Sequence, residues 1–170
     1  MKKVILLSFN LLVLLACKKE TAKLTNEKPI DSVQIKVASS EKSTLTLKNE
    51  LTEQGFEIFD YVDEKTQDTI LMQQYFMAFL KKGPVRSQNE AEAAELQKEH
   101  LAHLSRMYEL GYADISGPFG DDGDIRGITI YNVPTFEMAD SLANLDPMVK
   151  SGRLVIEMHP WWAAKGFPLR

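Results

Sequence analysis

Thr69-Ile70-Leu71-Met72-Gln73-Gln74-Tyr75-Phe76-Met77-Ala78-Phe79-Leu80 is a long run with no Gly or Pro inside it, closed by Lys81-Lys82-Gly83-Pro84. Such a run reads as a strand, and the Gly-Pro pair ends it. Downstream, Ser87 with Glu90 predicts a capping box for a helix that continues to Leu110 and stops at Gly111. Tyr112 to Ser116 reads as a short strand, Gly117 to Asp124 as a loop, and Gly127 to Val133 as a third strand. Thr135 caps a second helix through about Leu145. Asp146-Pro147 opens a short helical turn ending at Gly152, and Leu154 to His159 is the last strand. The order β-α-β-β-α-β predicts an α+β, ferredoxin-like domain: an antiparallel sheet under two helices.

That arrangement leaves the other sheet face needing a partner. In the last strand Leu154, Ile156 and Met158 share one face, and Val155, Glu157 and His159 share the other. A mixed face of that kind suits a homodimer with polar contacts better than bare solvent.

Upstream of the long strand, Leu45 to Gln54 reads as a short amphipathic helix closed by Gly55. Phe56 to Val62 alternates like a strand, and Asp63 to Asp68 is a polar turn. Residues 45–74 are therefore expected to form an N-terminal helix-strand extension packed on a domain at 75–170. Residues 18–44 are dominated by Lys, Glu, Ser, Thr and Asn and predict a flexible tether, with Val33 to Val37 the only alternating stretch.

Residues 1–17 combine Lys2-Lys3, an apolar run from Val4 to Leu15, and Leu14-Leu15-Ala16-Cys17. This predicts a secretory signal too short to span a bilayer. The closing tetrapeptide resembles the bacterial lipobox, which implies a lipid on Cys17 and membrane attachment in the cell envelope. Lys18, where inner-membrane lipoproteins carry Asp, favours the outer membrane. Cys17 is the only cysteine, so no intramolecular disulfide is available. Losing Lys2 and Lys3 with the signal lowers the 20 basic residues by two against 24 acidic ones, a mature net charge near -6. Such a chain has no electrostatic reason to seek nucleic acid.

At 100° per residue, Ala93, Leu96, His100, Leu104 and Met107 fall on one stripe of the long helix, with His103 at its edge. A histidine at the centre of an apolar stripe must find a hydrogen-bond partner or suffer desolvation of roughly a few kcal/mol. Periodicity alone allows a satisfied core histidine as well as a functional one.

From Tyr75 onward the chain resembles the YciI-like (YCII-related) family of the dimeric α/β barrel group. The residues that carry the resemblance are His100-Leu101-Ala102-His103-Leu104, then Gly111, Gly117-Pro118, Asp146-Pro147 and Gly152. The resemblance implies a His-Asp centred site, carried here by His100 and Asp146. The extension at 45–74 departs from the small family members and could alter or close a substrate pocket. In such pairs a carboxylate fixes the imidazole tautomer while the free nitrogen exchanges a proton near neutral pH. An Asp before Pro is also an ordinary helix N-cap, and the two roles are compatible.

Other residues carry weaker signals. His103 with His100, Glu157 and His159 contains metal-ligating types, but the spacing demands no metal and none is expected. Asp121-Asp122-Gly123-Asp124 lacks the ligand spacing of a calcium loop. Arg126 can hold an anionic ligand or simply offset these aspartates. Trp161, after the last strand, can line a ligand pocket or cap the core. Ser105, Ser116 and Thr129 lack a nucleophile context, and there is no phosphate loop or dinucleotide fingerprint. The function expected is a cofactor-independent lyase or isomerase acting on a small molecule, with His100 as acid/base and Asp146 orienting it. The alternatives are a non-catalytic small-ligand binder, with Arg126, Trp161 and His103 shaping its cleft, and a structural or interaction domain.

Overall fold

The computed structural model describes residues 43–169. The signal at 1–17 with Cys17, the alternating stretch Val33–Val37 and nearly all of the 18–44 tether lie outside the described residues. The elements run α1 (Thr44–Glu53), β1 (Ile58–Val62), β2 (Thr69–Lys82), α2 (Glu90–Glu109), β3 (Ala113–Pro118), β4 (Ile125–Tyr131), α3 (Phe136–Ala143), α4 (Pro147–Lys150) and β5 (Leu154–Ala164).

β2 is the axis of the sheet. β5 pairs antiparallel along it from Met72 to Lys82. Its other edge takes β1 at Thr69–Gln73 and then β4 at Phe76–Lys81, and β4 in turn takes β3. The spatial order β3-β4-β2-β5, all antiparallel, is the ferredoxin-like arrangement, with β1 added at one end of β2. The expected α+β class and the β-α-β-β-α-β order from Thr69 onward are what the chain adopts. β2 runs without a break through residues 74 and 75, so extension and domain share one strand.

Side chains alternate across a strand, which divides β2 into two faces. Phe76, Ala78 and Leu80 point to α2, α3 and α4 and join Met107, Ala113, Tyr131, Val133, Ala139, Ala143, Met148 and Leu154 in the core. Tyr75, Met77 and Phe79 point the other way, opposite Trp161, His159 and Glu157 of β5. At the far end of that second face α1 packs on β1 and β2, buries Leu51, and joins Lys48 to Asp60 at 2.5 Å.

Three local expectations need correction. The capping box of α2 is Asn89 with Glu92, not Ser87 with Glu90: the Asn89 side chain accepts from Glu92 N–H at 3.0 Å, and Glu92 accepts from Asn89 N–H at 2.9 Å. The chain stays extended past Gly83 because Gly83 and Val85 donate to Arg153 O and Gly152 O, which delays the helix. The loop expected from Gly117 begins later, since β3 continues to Pro118 against Gly127. Trp161 and Trp162 lie inside β5, not after it, because the long β2 offers pairing partners as far back as Met72. Pro160 is tolerated there since, among the described residues, β5 is an edge strand with no partner on its outer side.

Candidate functional site

The stripe expected on α2 faces the sheet: His100 and Met107 are buried and Ala93, Leu96, His103 and Leu104 are half-buried, while their neighbours are exposed. His100 therefore enters the helix-sheet layer from above. Asp146 comes from the neighbouring α3–α4 junction on the same side of the sheet, as the N-cap of the short helix. Its Oδ1 accepts from Met148 N–H at 2.8 Å, and its Oδ2 lies 2.5 Å from His100 Nδ1. Asp146 is 2% exposed and His100 8%. A carboxylate is an acceptor only, so Nδ1 is the donor and carries the ring proton in the neutral imidazole. One aspartate thus caps a helix and fixes a histidine tautomer.

The other ring nitrogen has a different environment. His100 Nε2 makes no hydrogen bond among the described residues and is not sealed from solvent. His100 forms part of the wall of a cavity of about 420 Å³ between α2, the β3–β4 end of the sheet and the start of β5. Arg126, Gln97, Ser116, Met148 and Leu154 share that wall, so the structure brings His100 and Arg126 to one cleft. The size falls in the ordinary range for a small-molecule site, roughly 300–1,000 Å³. Arg126 also reaches Asp122 Oδ1 at 2.7 Å, but that carboxylate is 92% exposed.

The remaining sequence-derived candidates are dispersed. His103 sits one turn along from His100 but does not reach the cleft; its Nε2 is buried without a hydrogen-bond partner among the described residues. Burial lowers its pKa below the ordinary 6.5, against a smaller opposing pull from Asp146. Glu157 and His159 lie on the opposite sheet face, where Glu157 accepts from Lys81 at 2.9 Å and lies 3.0 Å from His159. The set His100, His103, Glu157 and His159 is therefore split by the sheet. Among the described residues no group of three or more His, Cys, Asp or Glu is placed to hold a metal ion.

Trp161 also belongs to that opposite face and does not meet His100. It lines a separate cavity of about 630 Å³ with Tyr75, Ile115, Ile130 and Lys165. There Lys165 Nζ donates to Tyr75 Oη at 3.1 Å, and burial lifts the phenol to about 12 while lowering the Lys165 ammonium. Ser116 and Thr129 pair with each other across β3 and β4 at 3.0 Å, not with His100.

Three residues at or beside the His100 site gave no sequence signal. Arg86 and Arg153 line its cleft with Arg126. Tyr131, on β4, is 2% exposed; burial, and then the nearby Asp146 charge, push its phenol well above the usual range. It stays neutral beside the pair. An arginine after a glycine and a tyrosine in a strand look like any others. Only the tertiary fold brings them to the site.

No family model and no curated protein sequence matches the chain. Among solved structures it is similar to 5-chloro-2-hydroxyhydroquinone dehydrochlorinase from Burkholderia phenoliruptrix in complex with 2,5-dihydroxybenzoquinone. The superposition has 21% identity and a TM-score of 0.39, covering 51% of this chain and 92% of that one.

Proposed function

We propose that this chain is a YciI-like enzyme that moves a proton on a small molecule without a cofactor, as a lyase or isomerase. The supporting observation is the His100–Asp146 pair: Nδ1 tied to a buried carboxylate, in a histidine that lines an open cleft and whose Nε2 makes no hydrogen bond among the described residues. In this reading Nε2 takes a proton from a carbon beside a carbonyl, and the imidazolium formed is stabilised by Asp146. The same nitrogen returns the proton to another atom or to a leaving group. Asp146 positions His100 and stabilises its charge without changing protonation itself. Arg126 holds the polar end of the ligand.

The reading includes a homodimer, a second copy packing on the open sheet face where Met77 and Phe79 are only half-buried and Val155 is 40% exposed. Sedimentation of the full chain at dilute concentration tests it; a monomer contradicts it. It also includes lipidation of Cys17 and residence at the outer membrane. Mass spectrometry of the membrane fraction tests that part, and an unmodified Cys17 there contradicts it.

The catalytic reading is tested by proton–deuterium exchange in D2O on a panel of cyclic enolisable ketones, some bearing a carboxylate. Wild type is expected to speed exchange on at least one compound, and His100→Gln, which keeps a donor towards Asp146, is expected to abolish the gain. Indistinguishable rates for the two proteins across the panel contradict it.

A further inference from the structure

The cavity beneath α2 has a one-sided charge. Its wall holds three of the five arginines in the sequence, Arg86, Arg126 and Arg153, and among the described residues not one Asp, Glu or Lys. This occurs in a chain of net charge -4, where a random patch of surface is more often acidic. Like charges gathered at one concavity repel one another, and apolar walls of low dielectric strengthen the repulsion. Carboxylates of the protein, or an anion from solution, relieve that repulsion.

The protein supplies little neutralisation. Arg153 Nη1 donates to Gln88 Oε1 at 3.1 Å, a neutral acceptor, and no carboxylate meets it among the described residues. Arg86 has no hydrogen-bond or ion-pair partner among the described residues. Of the three, only Arg126 meets a carboxylate among the described residues, and Asp122 is nearly free in solvent, so that pair is weak and easily displaced. The arginines are also held in place from behind. Gly83 N–H donates to Arg153 O and Val85 N–H to Gly152 O, which fixes the segments carrying Arg86 and Arg153 side by side. That contact requires glycine: a Cβ on Gly83 would lie 2.1 Å from Gly152 O, and Gly152 itself has φ +71°. Backbone placement of this kind limits the entropy lost when guanidinium forks engage a ligand.

The apolar part of the lining decides what kind of anion fits. Leu80, Leu101, Leu104, Met148 and Leu154 give the cavity an apolar lining as well as its charged groups. Inorganic phosphate would satisfy the arginines and leave this lining bare. We infer that the cleft binds a small organic carboxylate, its oxyanion on the forks of Arg86, Arg126 and Arg153 and its carbon skeleton on the apolar lining toward His100. This assignment rests on the acid/base reading of His100 and adds the substrate class to it.

The test is titration of the full-length protein with benzoate, with benzyl alcohol as the neutral isostere and inorganic phosphate as the small oxyanion. It is followed on the arginine Nε–H and His100 ring signals by NMR. Benzoate is expected to bind at least about tenfold more tightly than either comparator, the loss of a charge-assisted hydrogen bond being worth about that factor. Arg153→Gln is expected to weaken benzoate about tenfold and leave benzyl alcohol unchanged, with Arg153→Lys restoring part of the loss. Arg86→Gln, on an exposed segment outside the core, should act in the same direction and guards against a folding defect in the first variant. Benzyl alcohol or phosphate binding as tightly as benzoate, or both glutamine variants binding benzoate normally, overturns the assignment and leaves the His100 reading standing. Benzoate that shifts the arginines but leaves the His100 ring untouched supports the anion site and removes the acid/base reading instead.

Discussion

His100 and Asp146 stand 46 residues apart in the chain and 2.5 Å apart in the structure, both buried, joined through Nδ1 and Oδ2. Because Oδ1 of the same carboxylate caps α4, removing Asp146 breaks two things. Asp146→Asn keeps an oxygen for Met148 N–H and turns an amide towards His100, so about 1–2 kcal/mol of stability should be lost. Asp146→Ala loses the cap as well and leaves buried polar groups unpaired, for about 3 kcal/mol. Urea denaturation of the two variants, compared by midpoint, checks the order.

His103 should make the protein sensitive to mild acid. Its neutral form is favoured by burial, so its folded pKa lies below the ordinary 6.5. Above 6.5 neither folded nor unfolded chain carries the proton, and stability is full. As pH falls through that value the unfolded chain takes up a proton that the folded chain refuses, and stability drops until His103 is protonated in both. His103→Gln should show a shallower fall in unfolding free energy between about pH 7 and pH 5 than wild type. Parallel curves would mean that His103 titrates freely.

Gly83 should tolerate no side chain. The Cβ of an alanine there would stand 2.1 Å from Gly152 O, just beyond the paired ends of β2 and β5, against backbone atoms that cannot yield. Gly83→Ala is expected to cost about 3 kcal/mol or more, with the strand ends forced apart. Gly120→Ala, with open space around its Cβ, serves as the control and should change the midpoint little.

The N-terminal extension should behave as part of the fold. Leu51 is 6% exposed where α1 meets the sheet, whereas Leu45 of the same helix is 67% exposed. Leu51→Ala is expected to cost about 2–3 kcal/mol, and Leu45→Ala within about 0.5 kcal/mol of nothing. Thermal unfolding that remains a single transition in Leu51→Ala would confirm that α1 melts with the rest.

The parts of this molecule legible from sequence were those set by local pattern. The α2 stripe placed His100 on the buried side, and Thr135 and Asp146 announced their helices because capping needs only the next three residues. Asn89 displaced Ser87 as the cap of α2 because Gly83 and Val85 pair with Gly152 and Arg153, a contact between distant segments. The end of β5 was missed for the same reason: how far a strand runs depends on the partner edge, and β2 is longer than its neighbours. Arg86 and Arg153 come together only through the same contact of Gly83 and Val85 with Gly152 and Arg153. Trp161 and His100, both plausible ligand contacts by residue type, were parted by the alternation of β2, which puts Tyr75 and Leu80 on opposite faces.

The central claim is that Asp146 holds His100 with its proton on Nδ1 and its Nε2 free. A long-range 1H–15N imidazole spectrum of the 15N-labelled full-length protein reads this directly, taken at about pH 8.5, above the ordinary imidazole range. His100→Gln, His103→Gln and His159→Gln assign the three rings. In wild type His100 should show the Nδ1–H pattern with an unprotonated Nε2, and in Asp146→Asn the proton should move to Nε2. An Nε2–H ring in wild type, or the same tautomer in both proteins, would contradict the claim.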